Sequence, residues 1–84
     1  MSIVKIFIVT GCRGCQQTLA FADWLRQEAP RLVVEVIDLA LDPDASSGKV
    51  FAVPTYVYDN RQIFIGNPSK EELSNWVVKL GLEV

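Results

Sequence analysis

Hydrophobic positions along this chain follow two rhythms. Residues 3 to 10 are β-branched or aromatic almost throughout, with Lys5 the single charge, so they predict a strand buried on both faces and central in its sheet. From Cys15 the spacing turns helical: Cys15, Leu19, Ala22, Leu25 and Ala29 fall on one face, and Gln16, Asp23 and Gln27 on the other. Pro30 is expected to end that helix. Residues 31 to 39 return to a strand pattern, Leu32-Val33-Val34-Glu35-Val36-Ile37. A helix between two strands predicts parallel pairing through a right-handed crossover.

The second half reads differently. Residues 41 to 49, "LDPDASSGK", have the Pro, Asp, Ser and Gly content of a loop or one short helical turn. Val53 to Tyr58 and Gln62 to Ile65 are predicted strands joined by Asp59-Asn60-Arg61, a length that makes an antiparallel hairpin. Ser69-Lys70-Glu71-Glu72 is a capping box opening a second helix, whose apolar stripe is Leu73, Trp76, Val77 and Leu80. Gly81 suits a left-handed stop. Trp24 lies opposite the first helix's stripe and is expected to be a partly covered surface aromatic, whereas Trp76 is expected in the core. Tyr56 and Tyr58 alternate with Val57 as cross-strand packing requires. The order is β-α-β-β-β-α, which predicts an α/β fold: a four-stranded mixed sheet with the hairpin antiparallel to the first pair, flanked by helices.

Composition narrows the function. With 84 residues the chain suffices for one compact domain, residues 1–84. Half of the residues are hydrophobic and 21% are charged, which argues against disorder. The net charge of -2 with interspersed signs gives no basis for binding nucleic acid or anionic lipid. No apolar run approaches the ~20 residues that cross a bilayer. The start, Met1-Ser2-Ile3-Val4-Lys5, lacks the pattern of a secretory signal, so a cytoplasmic location is expected. Asp42 and Asp44 read as a solvated turn, because the other ligand positions of a calcium loop are missing.

The candidate chemistry is "TGCRGC", residues 10 to 15, which holds both cysteines of a chain without histidine. In a reducing compartment a Cys pair is more often catalytic or metal-binding than a structural staple. Set between a central strand and the following helix, Cys12 meets the free amides and macrodipole of a helix N-terminus, and Arg13 adds a positive charge. Thiols in such settings ionise well below the ~8.5 of a free cysteine, so Cys12 is expected to be a thiolate at neutral pH. At ~1.5 Å of rise per residue, Cys15 lies within the ~4.4–6.8 Å Cα separation of a disulfide. Cys15 also begins the apolar face, so it is the less accessible sulfur, suited to resolving a mixed disulfide.

Three other readings compete. Two thiols can merely pack, although Gly11 and Gly14 leave that turn poorly covered. A zinc site needs about four ligands, and the chain offers two thiols and no imidazole, so no resident metal is expected. An iron–sulfur or metal-binding module would require a second subunit or another thiol.

With Ala52-Val53-Pro54-Thr55 heading a strand, where a proline that cannot donate to a ladder belongs at the first position with its peptide bond open to either cis or trans, the chain resembles the thioredoxin-like superfamily. The resemblance rests on Cys12, Cys15, Pro54 with Thr55, and Gly66, and the length is similar to glutaredoxins. It implies a thiol-disulfide oxidoreductase that exchanges the Cys12/Cys15 pair with protein or small-molecule disulfides in electron transport and cell redox homeostasis. Cys12 would be the attacking thiol, Cys15 the resolving thiol and Pro54 a cis-proline facing them, with Gly11, Arg13, Val53, Thr55 and Gly66 completing the substrate groove. The backbone of Val53 would pair with an extended substrate by strand addition. The implied redox group is the Cys12–Cys15 disulfide, without a further cofactor. The implied partners are a disulfide-containing protein and a thiol reductant, either a reductase or glutathione as co-substrate, and a monomer is expected. A glutathione-dependent, glutaredoxin-type activity is the nearest alternative. The chain departs from thioredoxins in having Gly11 in place of an aromatic residue, Arg13-Gly14 in place of Gly-Pro, and the apolar Ile6 region where they place a buried acid. Proton transfer from Cys15 would then need water or another group.

Overall fold

The computed structural model describes residues 2–45 and 52–81. Its elements are β1 (Ser2–Ile8), α1 (Cys15–Glu28), β2 (Leu32–Asp38), β3 (Thr55–Tyr58), β4 (Arg61–Ile65) and α2 (Lys70–Leu80). They form a four-stranded sheet in the order β2-β1-β3-β4. β1 is central, parallel to β2 and antiparallel to β3, and β3 pairs antiparallel with β4. The expected α/β architecture is therefore present. The loop expected at residues 41–49 is seen as turns through Ala45, and the remainder lies outside the described residues.

Strand register decides which side chains share a face. Val34, Val4 and Tyr58 form one row, and Val36, Ile6, Tyr56 and Phe64 the next. On this face Val4, Ile6, Ile8 and Tyr56 join the buried side chains of both helices, including Leu25 and Leu73, in one core cluster. Fully burying an aliphatic side chain such as Ile6 or Leu25 stabilises the fold by roughly 1.5–3 kcal/mol. Trp76 is half-buried at the edge of this cluster, set edge-on to Tyr58 and Phe64 at 5.4 and 6.4 Å between ring centroids. Trp24 is half-buried against the same cluster, in keeping with a partly covered aromatic.

Besides shifts of one or two residues at the ends of β1 and β2, three features differ from the sequence expectation. Leu19, expected on the buried stripe of α1, is 46% exposed, and Thr18 and Phe21 are buried instead. The stripe is centred on Thr18 and Leu25, and Leu19, one residue past Thr18, is turned roughly 100° away from it. The hairpin loop is shorter than expected, because Arg61 already pairs with Tyr58. Asp59 and Asn60, at φ 53 and 62, both adopt the left-handed conformation that a two-residue hairpin turn requires. The third strand begins at Thr55, so Val53 and Pro54 lead into it rather than belong to it.

Candidate active site

The cysteine turn is built by the exit of β1 into α1. The Cys12 amide donates to the Val9 carbonyl at 2.9 Å, and the Cys15 amide donates to the Cys12 carbonyl at 3.2 Å. The chain reverses this tightly because Gly11 and Gly14 take φ values of 80 and 85, where a side chain would be strained. Cys12 and Cys15 form a disulfide, their Cα atoms 5.4 Å apart. The two sulfurs are unequal in access. Cys15 is 6% exposed, and its sulfur lies 3.6 Å from the Val9 carbonyl oxygen, whereas Cys12 is half-buried at the rim.

The helix end beside Cys12 is open. Gly14 occupies the N-cap of α1, no side chain caps the helix, and its first turn carries no acidic residue. A shallow hollow next to it is lined by Gly11, Cys12, Gly14, Gln16 and Gln17, none of them charged. Arg13 stands exposed in the turn. Such an end presents amide hydrogens and the positive pole of the helix to any anion formed at Cys12.

The second half of the site comes from the hairpin. Thr55 pairs with Phe7 in the central strand, which brings Pro54 to the same end of the sheet as the cysteine turn. The Val53–Pro54 peptide is cis, as the resemblance implies. Pro54 is buried and Val53 half-buried at the surface. Thr55 is 1% exposed, and its hydroxyl donates to the Ala52 carbonyl, fixing the loop from beneath. The Gly66 amide donates to the Pro54 carbonyl at 2.7 Å, with Gly66 at φ 84. The register thus sets the turn of Gly11, Cys12, Arg13 and Cys15, which follows β1, at the end of the sheet where Val53, Pro54 and Thr55 enter β3 and Gly66 leaves β4. Among the described residues no group of three His, Cys, Asp or Glu side chains is placed to hold a metal ion.

Two polar features escaped the sequence reading. Asn67 receives hydrogen bonds at Oδ1 from the Thr18 hydroxyl at 2.7 Å and the Tyr56 hydroxyl at 3.0 Å, while its Nδ2 donates to the Gly14 carbonyl at 2.8 Å. Burial pushes the Tyr56 phenol up to about 12, against a lowering by the nearby Thr18 hydroxyl, so it stays protonated as the donor to Asn67. The second feature is Asp38 at the end of β2, which accepts from the Thr10 hydroxyl, the Thr10 amide and the Ala40 amide. The Thr10 hydroxyl is the foremost of these in holding the Asp38 carboxyl below its ordinary value. For Thr18 the helical phase was available as a signal, since it lies three residues from Cys15 and four from Ala22 on the buried arc. No local pattern marks Asn67.

The comparisons with known proteins agree with this geometry. The chain matches the Thioredoxin domain family over residues 2–78. It belongs to that family. Among solved structures it is similar to a poplar thioredoxin h (24% identity, TM-score 0.79, 99% of this chain and 78% of the other). It is also similar to the germline-specific Drosophila thioredoxin Deadhead (28%, 0.72, 94% and 80%) and to a Plasmodium falciparum thioredoxin (18%, 0.79, 99% and 74%). A comparison with curated proteins gives no match. As a member of the thioredoxin family with a paired C-x-x-C, the protein is a thiol-disulfide oxidoreductase whose redox group is the disulfide itself. Its β1 is apolar beneath the site: Ile6 is fully buried and shares the core cluster with Cys15.

Proposed function

We propose that this thioredoxin-family domain reduces disulfides of other proteins, with Cys12 as the attacking thiol and Cys15 as the resolving thiol. The observation that carries this reading is the unequal access of two sulfurs flanking one uncapped helix end, Cys12 at the rim and Cys15 6% exposed behind it. In the reduced protein the Cys12 thiolate attacks one sulfur of the substrate disulfide, forming a mixed disulfide and expelling the first substrate thiolate. Cys15, having given its proton to water, attacks the Cys12 sulfur, the mixed disulfide breaks, and the second substrate thiolate leaves. Two electrons pass to the substrate, and the Cys12–Cys15 disulfide that remains is returned to dithiol by an external thiol reductant.

In this reading the half-buried Val53, next to the cis Pro54, offers its backbone to an extended substrate segment. We place this activity in the cytoplasm, where thiol reductants are abundant. The test is alkylation of reduced Cys12 against pH, with Cys12→Ser and Cys15→Ser assayed for disulfide exchange. Cys12 is expected to titrate well below the ~8.5 of a free thiol, Cys12→Ser to lose exchange, and Cys15→Ser to accumulate a mixed disulfide. An ordinary titration, or exchange that neither substitution alters, overturns the proposal. Turnover of a glutathione mixed disulfide on Cys12 in the Cys15→Ser variant would assign the glutaredoxin-type activity instead.

A further inference from the structure

We propose that Asn67 is a positioning residue for the second half of exchange: it holds the Cys15 end of the cysteine turn still while the Cys12 end moves. This inference rests on the assignment of Cys15 as resolving thiol. The Thr18 and Tyr56 hydroxyls are both fully buried, and a buried hydroxyl without a partner is costly. Asn67 Oδ1 accepts from both, at 2.7 and 3.0 Å. The Thr18 oxygen also lies 3.1 Å from the Gly14 carbonyl, but a hydroxyl has one hydrogen, and the shorter contact to Asn67 takes it. No buried side-chain polar atom is left without a partner among the described residues.

These bonds decide the amide's orientation. With Oδ1 filled by two hydroxyls, Nδ2 points at the Gly14 carbonyl, 2.8 Å away. The flipped amide would set oxygen against oxygen there. Gly14 is the residue between Arg13 and Cys15, so Asn67 grips the peptide that carries the resolving thiol. Fit is close on both sides, because a Cβ on Gly14 would lie 3.1 Å from Asn67 Nδ2.

The grip joins three parts of the fold. Tyr56 belongs to β3, Thr18 to α1, and Asn67 to the connection from β4 to α2, whose preceding residue Gly66 is bonded to the Pro54 carbonyl. Reduction must separate two sulfurs that share one turn. The Cys15 side is tied to Asn67 and buried, whereas the Cys12 side is flanked by Gly11 and the exposed Arg13. Movement therefore falls to Cys12, and Cys15 keeps its aim at the Cys12 sulfur. Resolution of a mixed disulfide is an intramolecular attack, and such steps lose rate steeply when the attacking atom is poorly aimed.

The test follows single turnover of the reduced protein with an aromatic disulfide whose released thiolate absorbs visible light. The first equivalent of thiolate reports attack by Cys12, and the second reports resolution by Cys15. Cys15→Ser must abolish the second phase. If it does not, the assignment of Cys15 has failed, and the role of Asn67 falls only as its consequence. With that assignment secured, Asn67→Asp is the deciding variant, because it keeps an oxygen toward Thr18 and Tyr56 and turns the donor to Gly14 into an oxygen that its carbonyl repels; both phases are read well above the Cys12 pKa, so that the added charge does not set their ratio. It is expected to slow the second phase roughly 10- to 100-fold relative to the first. Tyr56→Phe keeps the Asn67–Gly14 bond and is expected to change that ratio less than about threefold, below the roughly tenfold that one lost hydrogen bond gives. Equal slowing of both phases by Asn67→Asp, or no slowing, overturns the proposal. Asn67→Ala adds a check where it folds; where it does not, the Asn67→Asp ratio stands alone as the decision.

Discussion

The two helices of this protein begin in opposite ways. α2 starts with a complete capping box: Ser69 accepts from the Glu72 amide, the Glu72 carboxylate accepts from the Ser69 amide, and Glu71 and Glu72 place negative charge in the first turn. α1 starts at a glycine in the left-handed conformation, with no side-chain cap and no acid in its first turn. Side-chain caps are worth about 1 kcal/mol and first-turn acids a few tenths more, and α1 forgoes both. Gln16 and Gln17 of its first turn line the hollow beside Cys12. The capped helix end serves the fold, and the one left open is available to stabilise charge on sulfur.

Making the open end resemble a filled one is the strongest way to break this contrast. Gly14→Ala puts a methyl group at φ 85 and against Asn67 Nδ2. It is expected to destabilise the protein by about 2 kcal/mol, read from chemical denaturation, and to slow resolution of the mixed disulfide in the same variant. Gln17→Glu is milder. It adds a carboxylate to the first turn of α1 at the rim of the hollow and is expected to raise the pKa of reduced Cys12 by roughly half a unit to one unit. The pH dependence of alkylation measures it, and an unchanged curve would show that the helix end does not act on Cys12.

At the filled end the effects move to stability. Ser69→Ala should cost about 1 kcal/mol by denaturation while leaving Cys12 alkylation unchanged. The smallest effect concerns pH. Hydrogen bonds from Ser69, its amide before its hydroxyl, hold the Glu72 carboxyl below its ordinary value. A depressed folded pKa means that the unfolded chain binds the proton first, so the contribution of Glu72 is fully present above the ~4.3 of a free glutamate and is lost as pH falls through the folded value. The stability gap between the protein and Glu72→Gln should accordingly hold constant near neutrality and close in acid. A gap that persists in acid would mean that the charge of Glu72 contributes nothing.

Much of this contrast is legible in the residues themselves. Ser69, Glu72 and Gly81 announce α2, and their hydrogen bonds close within three residues. The cysteine turn is equally local, since two glycines and two thiols within five positions leave few ways to connect a strand to a helix. Leu19 was misplaced for a related reason: counting only apolar residues set the stripe by Leu19, whereas the buried arc includes the polar Thr18. Thr18 can be buried because its hydroxyl finds Asn67, and that partner lies 49 residues away.

By itself the sequence determined the element order, the C-x-x-C pair at the junction of strand and helix, and the unequal capping of the two helices. Each of these depends on neighbours within one or two turns, where periodicity and side-chain chemistry are sufficient. Tertiary structure alone decided that Asn67 meets Gly14 across 53 positions and Tyr56 across 11, and that the Gly66 amide closes on the Pro54 carbonyl. Contacts of that span follow from the register of β3 against β1 and β4, and no local period in the chain encodes which polar atoms that register will bring within hydrogen-bond reach.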